Sequence, residues 1–186
     1  MLVLTIQKRS IAQKMMHGDY KANFWKSEYG CLSPRFARGY ATIKNELEEK
    51  IGVTLSESET PIWAWVGVPY IDFHKGVNED DLVAMFLDIP SSEMVFSDYD
   101  KYCSYVEGET NSLDFMLNES EVLGKTKEGN CVQACINRVK PEQILLAVDY
   151  TNINSGTVTT VENFYKYWRL ILVYQRLLDS RKVAFA

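Results

Sequence analysis

The chain has 186 residues, 46% apolar and 24% charged, with a formal charge of −5. That composition excludes an intrinsically disordered chain and, with no Lys/Arg-rich segment, argues against generic nucleic-acid binding. A domain of this size can bury about 70% of its unfolded surface, and the apolar run Leu170 to Tyr174 is far too short to span a membrane. The six uncharged residues between Met1 and Lys8 are too few for a secretory core, so a cytoplasmic protein is expected.

In chain order, "MLVLTIQ" (1–7) reads as a strand, and "SIAQKMMHGDY" places Ile11 and Met15 at helical spacing before Gly18 stops the helix. Residues 19–32 are aromatic and polar without a clear period. "SPRFARGYATIKNELEEKIG" reads as a helix, with Ser33 as N-cap, Pro34 at the first position, the stripe Phe36, Tyr40, Ile43, Leu47 and Ile51, and Gly52 at its end. "PIWAWVGV" (61–68) and "LVAMFLDI" (82–89) carry strand formers on both faces and predict central strands covered on both sides. The loop between them holds Gly76, Asn78, Glu79, Asp80 and Asp81. "EMVF" predicts a short strand, Ser97 the cap of the next helix, and Asp98 and Asp100 its acidic first turn, with Tyr99, Tyr102 or Cys103, and Val106 facing inward.

Residues 111–123 predict a further short helix bounded by Gly124, and "NCVQACINRVKPEQILLAV" (130–148) two strands joined by a proline turn. Thr151 to Gly156 reads as a polar loop. Thr159 and Glu162 form a capping-box pattern before a helix carrying Phe164, Tyr165, Trp168, Ile171, Leu172 and Leu178. The fold class is therefore α+β, with mixed, largely antiparallel sheets of about six strands and flanking helices. Residues 1–158 read as one domain, and 159–186 as a C-terminal helix that packs on it or forms an interface.

Standard catalytic signatures are absent: no phosphate-binding glycine loop, no dinucleotide fingerprint, no nucleophile elbow and no zinc-protease motif. Cys31, Cys103, Cys131 and Cys135 form no Cys-x-x-Cys pair, and His17 and His74 are the only histidines. No metal site is expected on that spacing, and Cys131 and Cys135 read as small residues on the face that carries Gln133. Asp98 and Asp100 diverge on a helix start and complement its dipole. Trp63 and Trp65 share one strand face and could form a platform for a planar ring. Thr5, Gln7 and Gln133 are polar groups among apolar strand neighbours, which must find partners or line a cavity.

Taken together, "LTIQ", "RGYATIKNELEE", "PIWAW", the strand ending in "DIP", "MVFSDYDKY" and "VQAC" resemble, in order and spacing, an uncharacterised bacterial domain-of-unknown-function family. The likeness covers Leu2 to about Val106 and Cys131 to Val148 and implies a fold neighbourhood without an activity. "LTIQ…HGDY" and "VQACINRVKPEQILLAV" also resemble, as supersecondary patterns, the two ends of an ADP-ribosyltransferase-like fold. That likeness implies NAD as cofactor and glycosyl transfer as chemistry. Gln7 stands where a His or Arg would help hold the dinucleotide, and Gln133 near where a glutamate would stabilise charge. A neutral amide can bind a ribose hydroxyl but is no general base, which argues against conventional transferase catalysis.

The leading expectation is a NAD- or nucleotide-sized pocket lined by Thr5, Gln7, Trp63, Trp65, Ser97, Asp98 and Gln133. The alternative is an interaction or inhibitory protein, as in phage or bacterial conflict, whose aromatic C-terminal helix meets a protein partner or a second copy of the chain as a homodimer.

Overall fold

The computed structural model describes residues 1–26, 34–66, 79–127 and 131–152, together with 166, 169–171 and 173. Among them are ten strands and four helices: β1 (Leu2–Lys8), α1 (Arg9–His17), β2 (Tyr20–Asn23), α2 (Pro34–Ile51), β3 (Glu59–Thr60), β4 (Ile62–Val66), β5 (Leu82–Asp88), β6 (Met94–Asp98), α3 (Tyr99–Glu107), β7 (Met116–Leu117), α4 (Glu119–Lys127), β8 (Val132–Ile136), β9 (Arg138–Val139) and β10 (Ile144–Asp149). Seven strands form one sheet in the order β10-β5-β1-β4-β8-β6-β7, and β3-β2-β9 form a small one. Every pairing is antiparallel, and the class is α+β. The six expected strands are the ones of five to seven residues; β2, β3, β7 and β9 are shorter and carry too few residues for a periodic signal.

One face of the large sheet presents Val3, Ile62, Ala64, Val83, Met85, Leu87, Phe96, Ala134 and Ile136. It packs against Ala12 and Met15 of α1, Val122 of α4, and Tyr20, Ala22 and Val139 of the small sheet. The other face carries two separate apolar clusters. Over β10, β5 and β1, Tyr150 and Ile171 cover Leu2, Leu4, Ala84 and Phe86. Over β8 and β6, Ile43 and Leu47 of α2 and Tyr102, Tyr105 and Val106 of α3 cover Val95 and Cys135. Each fully buried large aliphatic or aromatic side chain contributes about 1.5–3 kcal/mol, so both faces hold the sheet in place.

Where α2 crosses α3, Gly39 has no side chain to spare. A Cβ there would stand 2.5 Å from the Tyr102 hydroxyl and 2.7 Å from Val106 Cγ2. The α2 stripe is as expected, with Tyr40, Ile43 and Leu47 buried and Gly52 at φ +67° beyond the end. Ser33, its expected cap, lies outside the described residues.

Three boundaries differ from the sequence reading. The α3 cap is Asp98, whose side chain accepts from the Lys101 N–H, because pairing with β8 carries β6 through Ser97 and Asp98. Both are capping residue types, and only the partner strand decides between them. The helix expected over 111–123 starts at Glu119 and runs through Gly124. Glu121 reaches back to the Asn118 N–H at 2.8 Å to fix that start, and the exposed Gly124 costs about 1 kcal/mol of helix propensity against Ala. The two strands of residues 130–148 do not pair with each other: β8 lies between β4 and β6, β10 takes the far edge, and β9 with the 3₁₀ turn Pro141–Gln143 links them through the small sheet.

No helix among the described residues is long and apolar enough to cross a membrane. At the C-terminus, Lys166, Arg169, Leu170, Ile171 and Val173 are helical, with Ile171 buried and Leu170 and Val173 exposed. Thr159, Glu162, Phe164, Tyr165, Trp168, Leu172 and Leu178 lie outside the described residues, as do Cys31, His74, Gly76 and Asn78.

Candidate functional site

Residues opposite one another in an antiparallel pair share a face and touch. Followed across the large sheet, the register makes one continuous row: Leu146, Phe86, Leu4, Trp65, Gln133, Ser97 and Met116. Leu146, Phe86 and Leu4 belong to the cluster under Tyr150 and Ile171, and Met116 packs on the one under α2 and α3. Trp65, Gln133 and Ser97, in the middle, belong to neither.

These three side chains are nearly sealed, with Trp65 6% exposed, Gln133 4% and Ser97 fully buried. The Ser97 hydroxyl donates to Gln133 Oε1 at 3.3 Å, and Tyr99 meets Trp65 edge-on with ring centroids 5.3 Å apart. The other end of the Gln133 amide has no hydrogen-bond partner among the described residues. Whichever way the amide is turned, one polar end faces Ser97 and the other is open.

Thr5 and Gln7 lie on the opposite face, with Val3, and Gln7 is three residues along β1 from the row. Their role is visible in the register. Among the described residues β1 and β4 share one register pair, Leu4 with Trp65. Beside it the Thr5 hydroxyl donates to the Trp63 carbonyl at 2.7 Å and accepts from Gln7 Nε2 at 2.7 Å. The two side chains satisfy strand polar groups where the ladder is short, so the structure does not bring Gln7 and Gln133 to one pocket.

Trp63 is on the same face as Trp65, two pairs further along β4, opposite Cys135. Its ring touches Tyr40 and Tyr102, with centroids 5.3 and 5.1 Å apart. Two buried polar atoms in this cluster, Trp63 Nε1 and the Tyr102 hydroxyl, have no hydrogen-bond partner among the described residues. Burial, and then the neighbouring Tyr40, pushes the Tyr102 hydroxyl well above the ordinary tyrosine range, which keeps it a neutral donor.

Asp98 caps α3 and points, by strand alternation, to the opposite face from Ser97. Burial pushes the thiols of Cys135, Cys131 and Cys103 up; Tyr99 partly offsets the rise at Cys103 by a hydrogen bond. None is therefore an activated nucleophile. No group of three metal-ligating side chains occurs among the described residues.

Sequence reasoning missed Tyr40, Tyr99 and Tyr102 as site residues. Each was legible as an inward position on a helix, but which sheet row it meets depends on helix placement that periodicity does not encode. Comparison of the chain with protein-family models, curated proteins and solved structures finds no match.

Proposed function

We propose that the protein binds a planar, nucleotide-sized ligand, NAD or a related nucleotide, against the Trp65–Gln133–Ser97 row, and that it acts by binding without conventional transferase turnover. The observation that carries the reading is the open end of the Gln133 amide. Gln133 is 4% exposed, its amide oxygen accepts from Ser97, and the group stands beside an indole that Tyr99 holds edge-on. A base or carboxamide edge would pair the amide's free end while its ring lies along Trp65.

The chemistry of the row favours binding over catalysis. An amide and a hydroxyl can orient a ligand, but neither takes up a proton at neutral pH nor balances a cationic sugar centre. The only carboxylate next to the row in sequence, Asp98, is committed to the α3 cap on the other face. Because the row is nearly sealed, association is expected to be slower than for a surface site.

Titration of NAD, ADP-ribose and adenine nucleotides while following tryptophan emission tests the reading, with Gln133→Ala as the control. A saturable change that the substitution weakens at least tenfold supports it. No response up to millimolar ligand sinks it.

A second reading has its own observation. On the C-terminal helical residues Ile171 is buried on the sheet, while Leu170 and Val173 stand 56% and 54% exposed on the outer side. In that reading the helix is an interaction element for a protein partner or a second copy of the chain. Light scattering on Leu170→Ser/Val173→Ser against the parent decides it: a dimeric parent made monomeric by the substitutions supports the interface, and two monomers dispose of the homodimer.

A further inference from the structure

We propose that Trp63 and Tyr102 form a second small-molecule site, one that takes the hydrogen-bond acceptor of a neutral aromatic ligand such as an aryl carbonyl. Native interiors pair nearly all their buried polar atoms, and each exception calls for an explanation. Here two exceptions, the Trp63 indole N–H and the Tyr102 hydroxyl, fall on rings in direct contact, with centroids 5.1 Å apart. Tyr102 is only 5% exposed, so bulk water does not satisfy it. Both atoms donate, and a carbonyl oxygen has two lone pairs to accept.

The surroundings define the ligand's other properties. Tyr40, Trp63, Tyr102 and Phe115 form a sequence of ring contacts, 5.3, 5.1 and 5.6 Å between centroids. Such walls favour a flat apolar body, held by offset or edge contacts. The charge on this cluster, Arg38, lies over the Tyr105 ring at 4.2 Å, and burying an unpaired anion at the two donors would cost far more than its hydrogen bonds return; the acceptor is accordingly neutral. The Tyr102 hydroxyl stands against the bare backbone of Gly39, where a Cβ would lie 2.5 Å from it. Towards solvent the same rings continue from Tyr40 to Phe24 and on to Trp25, at 5.5 and 5.2 Å, and Trp25 is 63% exposed. Ring contacts thus run without a break from an exposed tryptophan to the two donors.

The inference does not need the Gln133 row to bind anything, and its failure is separable from failure of that reading. The probes are acetophenone and ethylbenzene, similar in size and differing in the carbonyl, titrated into the full ¹⁵N-labelled chain. The chain has four tryptophans; the Trp63 indole N–H resonance is assigned through its contacts to the Tyr102 ring. Acetophenone is expected to move that resonance saturably, ethylbenzene to leave it in place, Tyr102→Phe to weaken binding about three- to tenfold, and Gln133→Ala to change nothing. Tyr102→Phe keeps the ring and removes only an unpartnered hydroxyl, so a lost response cannot be ascribed to unfolding. An unmoved resonance at the acetophenone solubility limit, an equal response to ethylbenzene, or unweakened binding to Tyr102→Phe would each overturn the proposal. So would a long-lived water at the indole N–H that acetophenone does not displace, which would make this a hydration site.

Discussion

Tyr102→Phe should make the protein more stable. The Tyr102 hydroxyl is buried without a partner, a state that costs about 1–3 kcal/mol. The phenylalanine ring keeps the contacts with Trp63 and Phe115, at 5.1 and 5.6 Å. The expected gain is about 1–2 kcal/mol, read as a higher urea midpoint at unchanged slope and a melting temperature higher by about 2–4 °C per kcal/mol. The same hydroxyl explains Gly39, whose added Cβ would lie 2.5 Å from it, 2.7 Å from Val106 Cγ2 and 2.9 Å from Tyr102 Cζ. Gly39→Ala gains about 1 kcal/mol of helix propensity but loses about 1–3 kcal/mol to overpacking, for a net loss of about 1 kcal/mol. In the Tyr102→Phe background the nearest clash is gone, so Gly39→Ala should cost less by at least about 0.5 kcal/mol. If Tyr102→Phe instead loses about 1 kcal/mol or more, the hydroxyl has a partner and the reasoning fails. If Gly39→Ala costs the same in both backgrounds, the clash lies elsewhere.

Ser97→Ala is expected to cost about 1–2 kcal/mol by leaving the Gln133 carbonyl without its donor, whereas Ser97→Ala/Gln133→Leu should recover most of that loss; denaturation of the pair against the single substitution checks both. Thr5→Val removes the bonds to the Trp63 carbonyl and from Gln7 and should cost about 1–3 kcal/mol, while Gln7→Leu, on the far face from the row, should leave any nucleotide affinity unchanged; an altered affinity would return Gln7 to the site. Burial raises the Cys135 thiol and the Tyr102 and Tyr20 hydroxyls above their ordinary values. The folded state then holds these protons longer than the unfolded one, so their contribution is complete below about pH 8.5 and is lost as pH rises through the alkaline range. Cys135→Ala should flatten that decline between about pH 8 and 10, and an unchanged slope of urea midpoint against pH would contradict it.

Much of the fold was legible because it is written in periods. The α2 stripe from Phe36 to Ile51, the two-sided apolar strands β4 and β5, and the Ile11/Met15 spacing of α1 each repeat often enough to be read alone. Where the reading slipped, two residues or a long-range partner decided. Ser97 and Asp98 are both capping types, and pairing with β8 moved the helix start by one. β2, β3 and β9 are too short to show alternation, so the small sheet was invisible, and with it the reason why β8 and β10 are not a hairpin. Four of the polar or aromatic site candidates stand on one face, Trp63, Trp65, Ser97 and Gln133, and the pairing of β4, β8 and β6 sets three of them side by side. Strand parity within β8 placed Gln133 with Cys135, but parity between strands needs register, and it is register that put Thr5 and Gln7 on the other side.

The two amides that looked equivalent therefore have different physical explanations. Gln7 donates to Thr5, whose hydroxyl in turn covers the Trp63 carbonyl, so its polarity is accounted for within the fold. Gln133 is accounted for only by half. One end meets Ser97; the other has no partner among the described residues. Stability does not require the Ser97–Gln133 pair, because replacing both partners of a buried polar pair by apolar groups is close to neutral or stabilising. The amide sits near the two orphaned donors of Trp63 and Tyr102, on the same face as Trp63 and two register pairs away from it. A face that leaves the Trp63 and Tyr102 donors buried and unmet is destabilised where a binding surface would be, and the stability gain expected from removing each of the two measures what the fold gives up to keep it available.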